Sequence, residues 1–276
     1  MSFTRKLAQL QAKLHLRLKL PGEPVALLDY PRHPIKIGVS SPMEYHTRLH
    51  SCAKEPETVR WIEEGLAPGD VLYDVGANVG VYSLVAAAFW GEKIKIVAIE
   101  PSPINFARLV RNLSLNRAEG RVVALPVALA ERTGILPFHC ENLTPGGSLH
   151  ALGEAVNYRG EKFTPAATFS MLSYSLDELV EQFRLPEPTH LKLDVDGTEM
   201  AILRGAQKTL RAVKSVVVEV DDHRADGSAI QAILEENGLR VAGRYPYLYG
   251  AKFPQFNGIS NLIFQRETAL ASRTNE

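Results

Sequence analysis

From about residue 56 onward the chain alternates between two hydrophobic rhythms. Nearly continuous apolar runs fall at 71–75, 94–99, 122–129, 191–195 and 216–220. Between them lie stretches whose apolar positions recur every three to four residues, at 57–65, 81–90, 199–213 and 229–237. An unbroken apolar run is the mark of a strand buried on both faces, and the longer period marks an amphipathic helix. Ser102 caps a further helix with Pro103 at its first position, where a missing N–H costs nothing. Phe106, Leu109, Val110 and Leu113 form its buried stripe. Ser175, Leu176, Asp177 and Glu178 read as a capping box opening another. Two last apolar runs, 239–244 and 261–265, have no helix between them, which predicts an antiparallel edge. Strand and helix in alternation predict an α/β fold with a mostly parallel sheet covered on both faces.

Residues 1–50 break this rhythm. A helical start at 3–13 gives way to alternating Leu14, Leu16, Leu18 and Leu20, a strand-like pattern. Short apolar runs at 25–28 and 35–39 sit among Pro21, Pro24, Pro31 and Pro34. The expectation is a small β-rich N-terminal extension (1–50) packed on one large domain (51–276). Residues 130–172 are irregular, with Gly146 and Gly147 at their centre. No run reaches the roughly eighteen apolar residues of a membrane span. The first twenty residues hold Arg5, Lys6, Lys13, Arg17 and Lys19 and no acid, which reads as a solvated basic helix, with a targeting or surface-binding segment as the alternative. Over the whole chain 31 Lys and Arg balance 31 Asp and Glu, so there is no global field to gather nucleic acid. Cys52 and Cys140 make neither a disulfide framework nor a zinc cluster and fit a reducing, cytoplasmic compartment.

In such folds ligands bind beyond the carboxyl ends of the strands. The first strand ends in Asp74-Val75-Gly76-Ala77-Asn78-Val79-Gly80. Gly76 permits a tight turn there, and Gly80 lets the next helix begin close to the strand. Glu100 follows twenty residues after Gly80, placed to accept both ribose hydroxyls of a nucleoside. The glycines are spaced G-x-x-x-G, not G-x-G-x-x-G. A carboxylate from Asp74 in the turn would repel a pyrophosphate and attract an ammonium. That favours S-adenosylmethionine over a dinucleotide. The alternative is an NAD-dependent oxidoreductase acting on a sugar nucleotide.

Three segments together resemble the FkbM family of methyltransferases: LYDVGANVGVYS at 72–83, residues 98–116 with Glu100-Pro101 and Asn112, and LKLDVDGTE at 191–199 followed by Leu203-Arg204-Gly205-Ala206. The resemblance covers about residues 55–220. It implies a Rossmann-like class I methyltransferase with a seven-stranded, mostly parallel sheet and an antiparallel last strand. It also implies methyl transfer from S-adenosylmethionine to hydroxyl oxygens of sugars and other natural products. By that resemblance Asp74, Gly76, Asn78 and Gly80 line the methionine part, and Glu100 binds the ribose. Asp194 joins the cofactor set. Asp196 departs from the family's usual D-x-E-G, keeping an acid but shortening it.

For catalysis the candidates are His223, Asp194 and Asp196. Asp194, Asp196 and Glu199 also stand where acids stabilise a helix N-terminus. Among the other histidines His139, His150 and His190 fall near strand ends or in the irregular insert. Tyr245, Tyr247, Tyr249, Phe253 and Phe256 could stack on a sugar ring. Residues 130–172 and 245–260 are expected to form the pocket for a small sugar or glycoside acceptor, with Gly146 and Gly147 in a mobile lid. Two routes remove the acceptor's proton. In one, Asp194, Asp221 and Asp222 hold a Mg²⁺, because three converging acids without a basic partner would repel one another. In the other, His223 is a metal-free general base. An N/D-P-P-Y/W motif of the amino-methylating nucleic-acid enzymes is absent.

Overall fold

A computed structural model of the chain describes residues 3–221, 226–247 and 258–267. Its helices are α1 (Phe3–Leu18), α2 (Pro42–His46), α3 (Ser51–Lys54), α4 (Pro56–Gly65), α5 (Val81–Trp90), α6 (Pro103–Leu115), α7 (Leu176–Phe183), α8 (Glu199–Arg204), α9 (Gln207–Leu210) and α10 (Asp226–Glu236). Its strands are β1 (Val25–Leu27), β2 (Lys36–Gly38), β3 (Val71–Val75), β4 (Lys95–Ile99), β5 (Val122–Leu125), β6 (Ala128–Leu129), β7 (Gly134–Cys140), β8 (Ala151–Leu152), β9 (Ala167–Tyr174), β10 (His190–Leu193), β11 (Ser215–Asp221), β12 (Leu239–Pro246) and β13 (Ile259–Arg266).

Seven strands form the central sheet in the order β12-β13-β11-β10-β3-β4-β5. Neighbours are parallel from β11 through β5, and β13 runs antiparallel between β11 and β12. Strand order reverses between β3 and β10, so a crevice opens there at the carboxyl ends. The two-residue period of each strand sorts its side chains. Val71, Tyr73 and Val75 pack with Leu191, Leu193, Val216 and Val218 against α7 to α10. Leu72, Ile96, Ala98 and Val217 pack the other way, against α4, α5 and α6. Ala26, Leu28, Tyr30, Ile35, Ile37 and Val39 of the extension join that second layer.

The N-terminal extension differs from expectation. Leu14, Leu16 and Leu18 continue α1, and the strand content is one antiparallel pairing of β1 with β2. The leucine alternation is mixed with Lys13, His15 and Arg17, which suit an exposed helix as well as a strand. Asn112 of α6 ties the extension down. Its Oδ1 accepts the Gly38 N–H (2.9 Å) while its Nδ2 donates to the Val79 carbonyl (2.9 Å).

Residues 122–129 are not one strand. Pro126 interrupts the ladder, and β6 leaves the main sheet to pair with β9. The irregular insert is built on a second sheet, β6-β9-β7-β8. The helix expected over 199–213 is two. It breaks at Gly205, whose carbonyl accepts the Asp177 N–H, and the Asp177 carboxylate caps α9 through the Lys208 (2.7 Å) and Thr209 (2.8 Å) N–H groups.

Candidate active site

The register of β3 against β10 places Asp74 directly opposite Lys192, on the same face of the sheet. Both are buried inside an apolar layer, so the lysine has few places to send its charge. Its Nζ lies 3.0 Å from Asp194 Oδ2, 3.8 Å from Asp74 Oδ1 and 4.8 Å from the centre of the Tyr82 ring. Burial opposes the ammonium, but the Asp194 and Asp74 carboxylates outweigh it and hold its pKa above the ordinary value. Burial likewise opposes ionisation of Asp194. Lys192 and Lys54 reverse that and hold its carboxyl below the usual range.

Asp74 is therefore not in the turn. It lies inside β3, and its Oδ2 accepts from the Ser83 N–H (3.0 Å) and hydroxyl (2.6 Å) at the start of α5. It does not line the crevice, so its expected repulsion of a pyrophosphate loses its geometric basis. Gly76 does line it. Its φ is +79°, and a Cβ there would sit 1.8 Å from the Asp194 carbonyl oxygen. The close contact of β3's turn with β10 thus excludes every other residue. Gly80 is needed for packing: at φ +87° its missing Cβ would meet Leu109 Cδ1 at 2.5 Å, away from the cleft.

Glu100, just past β4, accepts the Asn78 N–H on Oε2 (2.7 Å) and the Ser102 N–H on Oε1 (2.8 Å). Burial pushes its carboxyl up to about 7 although both N–H groups favour the charged form. Asn78 Nδ2 donates to the Gly147 carbonyl (2.8 Å), as does Asn105 Nδ2 (3.0 Å). The Asn105 Oδ1 accepts the Gly146 N–H, Arg48 Nε donates to the Gly146 carbonyl, and Ser41 Oγ donates to the Pro145 carbonyl. The expected mobile lid is instead a pinned wall of the cleft.

Three hollows meet at the strand ends. The first, about 580 Å³ with its open mouth, runs from Gly76 and Asp194 past Glu100 to Phe138 and His150. The second, about 420 Å³ with its open mouth, shares Gly76, Asn78, Asp194 and Asp196 with it and adds Arg48 and Lys192. The third, about 360 Å³ with its open mouth, is lined by Tyr158, Asp196, Glu199, Glu219 and Ile259. Asp196 lines all three. Its φ is +57°, and its Oδ2 accepts the Leu149 N–H at 2.7 Å. Burial, then the charge of Asp194, pushes its carboxyl up to about 6. Burial pushes Glu199 up to about 7 while its Oε1 accepts the Gly197 N–H at 3.2 Å. Burial first, then Asp194 and Asp196, drives Glu219 well above the carboxylate range.

The crevice thus gathers Gly76, Asn78, Glu100, Asp194 and Asp196 from the sequence candidates. His190 lies at the opposite end of β10, bonded to Ser215 Oγ (2.6 Å) and Asp70 Oδ2 (2.8 Å). His139 bonds Thr168 Oγ1 and the Gly153 carbonyl. His223, Asp222, Tyr249, Phe253 and Phe256 lie outside the described residues. Of the expected metal set Asp222 lies outside the described residues; Asp194 is engaged by Lys192, and Asp221 lines the third hollow with Glu219. The premise of acids without a basic partner fails on Lys192. Among the described residues no three Asp, Glu, His or Cys side chains are grouped to hold a metal ion. Lys192, Arg48, Asn105 and Glu219 also line the hollows and were not among the sequence candidates, and His150, named there only as one of several histidines, lines the first. A lysine inside an otherwise apolar strand was the available signal for Lys192.

A doubly covered sheet with one reversed strand, and a crevice at its switch point carrying an acid after each of β3's two neighbours, define a Rossmann-like class I methyltransferase. A family model, the methyltransferase FkbM domain, matches residues 74–241. The chain belongs to that family, which displaces the oxidoreductase alternative. It is 27% identical over 220 residues to the hexuronic acid methyltransferase AglP of Haloferax volcanii, covering 80% of this chain and 84% of the relative. It is 26% identical over 203 residues to the 31-O-demethyl-FK506 methyltransferase FkbM of Streptomyces tacrolimicus, covering 67% and 78%. A crystal structure of a methyltransferase FkbM from Methylobacillus flagellatus KT aligns with a TM-score of 0.48 at 14% identity, over 82% of this chain and 56% of that one.

Proposed function

We propose that the protein transfers the methyl group of S-adenosylmethionine to a hydroxyl oxygen of a sugar, glycoside or related natural product. The observation that carries this reading is the meeting of three hollows at one acid, Asp196. A transferase needs a donor site and an acceptor site that share an edge, and Asp196 stands on it.

The residues of the first two hollows fit the donor. Glu100 keeps acceptor capacity for ribose hydroxyls, since each carboxylate oxygen takes more than one hydrogen bond. Asn78 Oδ1 and His150 Nδ1 are buried without partners and face the first hollow. Burial pushes His150 down to about 4, so it is neutral near pH 7 and available to a base edge. Arg48 and Lys192 together with Asp194 and Asp196 give the second hollow charges of both signs, suiting the two ends of a zwitterionic methionine tail. When bound, S-adenosylmethionine supplies a methyl group activated by a positive sulfur.

The third hollow is assigned to the acceptor. It draws Tyr158 from the insert and Ile259 from the start of the last strand, the two regions expected to contribute. Asp196 takes the acceptor hydroxyl's proton as its oxygen gains the methyl group, and passes it to solvent. A base whose carboxyl lies at about 6 is ionised at pH 7 and able to accept it. Lys192 keeps neighbouring Asp194 charged, so the proton goes to Asp196. The relatives named for a hexuronic acid and for a demethylated natural product support an oxygen-bearing acceptor. Asp196→Asn tolerates the left-handed backbone and should lower kcat by about 10²–10⁴-fold, far more than it weakens cofactor binding. Unchanged kcat would remove Asp196 as the base.

A further inference from the structure

Helix α1 is turned inside out. At 3.6 residues per turn Leu7, Leu10, Leu14 and Leu18 fall on one stripe, and all four are exposed, by 46%, 52%, 45% and 62%. The face toward the protein carries Gln9 and Ala12, both buried, and Leu16. A surface helix ordinarily buries its apolar stripe. Here the helix is held down by Gln9, Ala12 and Leu16 while its other leucines face outward. Lys6, Lys13 and Arg17 are exposed along one flank of that stripe, Lys19 follows it, and no acid precedes Glu23.

We propose that α1 is an interfacial helix that docks the protein on an anionic phospholipid bilayer. The leucines enter the boundary between headgroups and acyl chains, and the basic flank meets the phosphates. The helix lies on the surface and does not cross it: among the described residues no helix is long and apolar enough to span a membrane. Charge selects this occupant over a second copy of the chain. Two α1 helices packed through their stripes would bring two basic flanks together, with no acid in the segment to pair them. The proposal is independent of the acceptor's identity and of the methyl donor.

The test is co-sedimentation of the full chain with vesicles. Vesicles of phosphatidylcholine with about a third phosphatidylglycerol should carry the protein down, and pure phosphatidylcholine should not. Raising salt from about 0.05 to about 0.5 M should release it. The double variant Leu10→Glu with Leu14→Glu changes only exposed positions. It should reduce vesicle binding by about tenfold or more while its melting temperature stays that of wild type. Failure to sediment with the anionic vesicles, or equal sedimentation with neutral ones, would overturn the proposal. So would a dimer in light scattering that the double variant dissociates, because the stripe would then belong to a second copy.

Discussion

Glu100 holds its carboxylate between two backbone donors in a site dry enough to raise its pKa to about 7. Removing it leaves the Asn78 and Ser102 N–H groups without an acceptor and, under the proposed function, the cofactor's ribose as well. At roughly 1.5–3 kcal/mol per charge-assisted bond, Glu100→Ala should weaken S-adenosylmethionine binding about a hundredfold or more. Calorimetry checks this, and unchanged affinity would remove Glu100 from the site. The same titration predicts a pH effect. Wild-type affinity should strengthen as pH rises through about 7 and the carboxylate forms. Glu100→Gln, which turns an NH₂ toward one of the two N–H groups, should bind weakly with no such dependence. Glu100 and Gly76 were legible in the sequence because strand-end chemistry follows from the strand period. Lys192 was not: its role depends on β10 lying beside β3, a long-range pairing that no local spacing announces. Asp74 was misplaced for the same reason. One residue along a strand moves a side chain from the turn to the interior face.

At the level of elements, the segment at 145–149 shows how tertiary bonds override composition. Two glycines predict mobility, yet Asn78, Asn105, Arg48 and Ser41 all bond its backbone. Replacing 145–151 with a short flexible linker should therefore abolish turnover and also weaken cofactor binding, since Gly147 and Ser148 line the first hollow. Binding of the cofactor at wild-type affinity by that variant would show that the wall serves the acceptor alone. The long periodic elements were legible: α5, α6 and the parallel strands follow directly from apolar runs and caps. The second sheet was not. Its strands β6 and β8 are two residues each, and their pairing spans the insert. Nor was the continuation of α1, where leucines alternate with basic residues and the periods of helix and strand coincide over a few positions.

For the whole molecule, the cost of gathering acids in one crevice is a dependence of stability on pH. Burial raises Glu100 and Glu199 from 4.5 to about 7 and Asp196 from 3.8 to about 6. The folded state then keeps protons that the unfolded chain has released. The stability these groups contribute is full below their ordinary pKa values and is lost as pH rises to about 7. Asp70 and Asp194 are shifted downward, so their contribution is present above the ordinary range and lost only in acid. His150, lowered from 6.5 to about 4, acts in the opposite sense as pH rises to about 6.5, but the three raised acids together outweigh it, so the melting temperature of the free protein should fall from about pH 5 to about pH 8. A flat or rising profile in scanning calorimetry would contradict the burial of these acids.

The most direct test of the central claim is incubation with methyl-labelled S-adenosylmethionine and a panel of neutral and uronic-acid glycosides, followed by product analysis. The account predicts label in a base-stable methyl ether on one hydroxyl, lost in Asp196→Asn. Label released by mild base as a methyl ester would contradict the hydroxyl assignment. Absence of transfer to every glycoside and related alcohol tested, from a protein that binds the cofactor, would contradict the acceptor class.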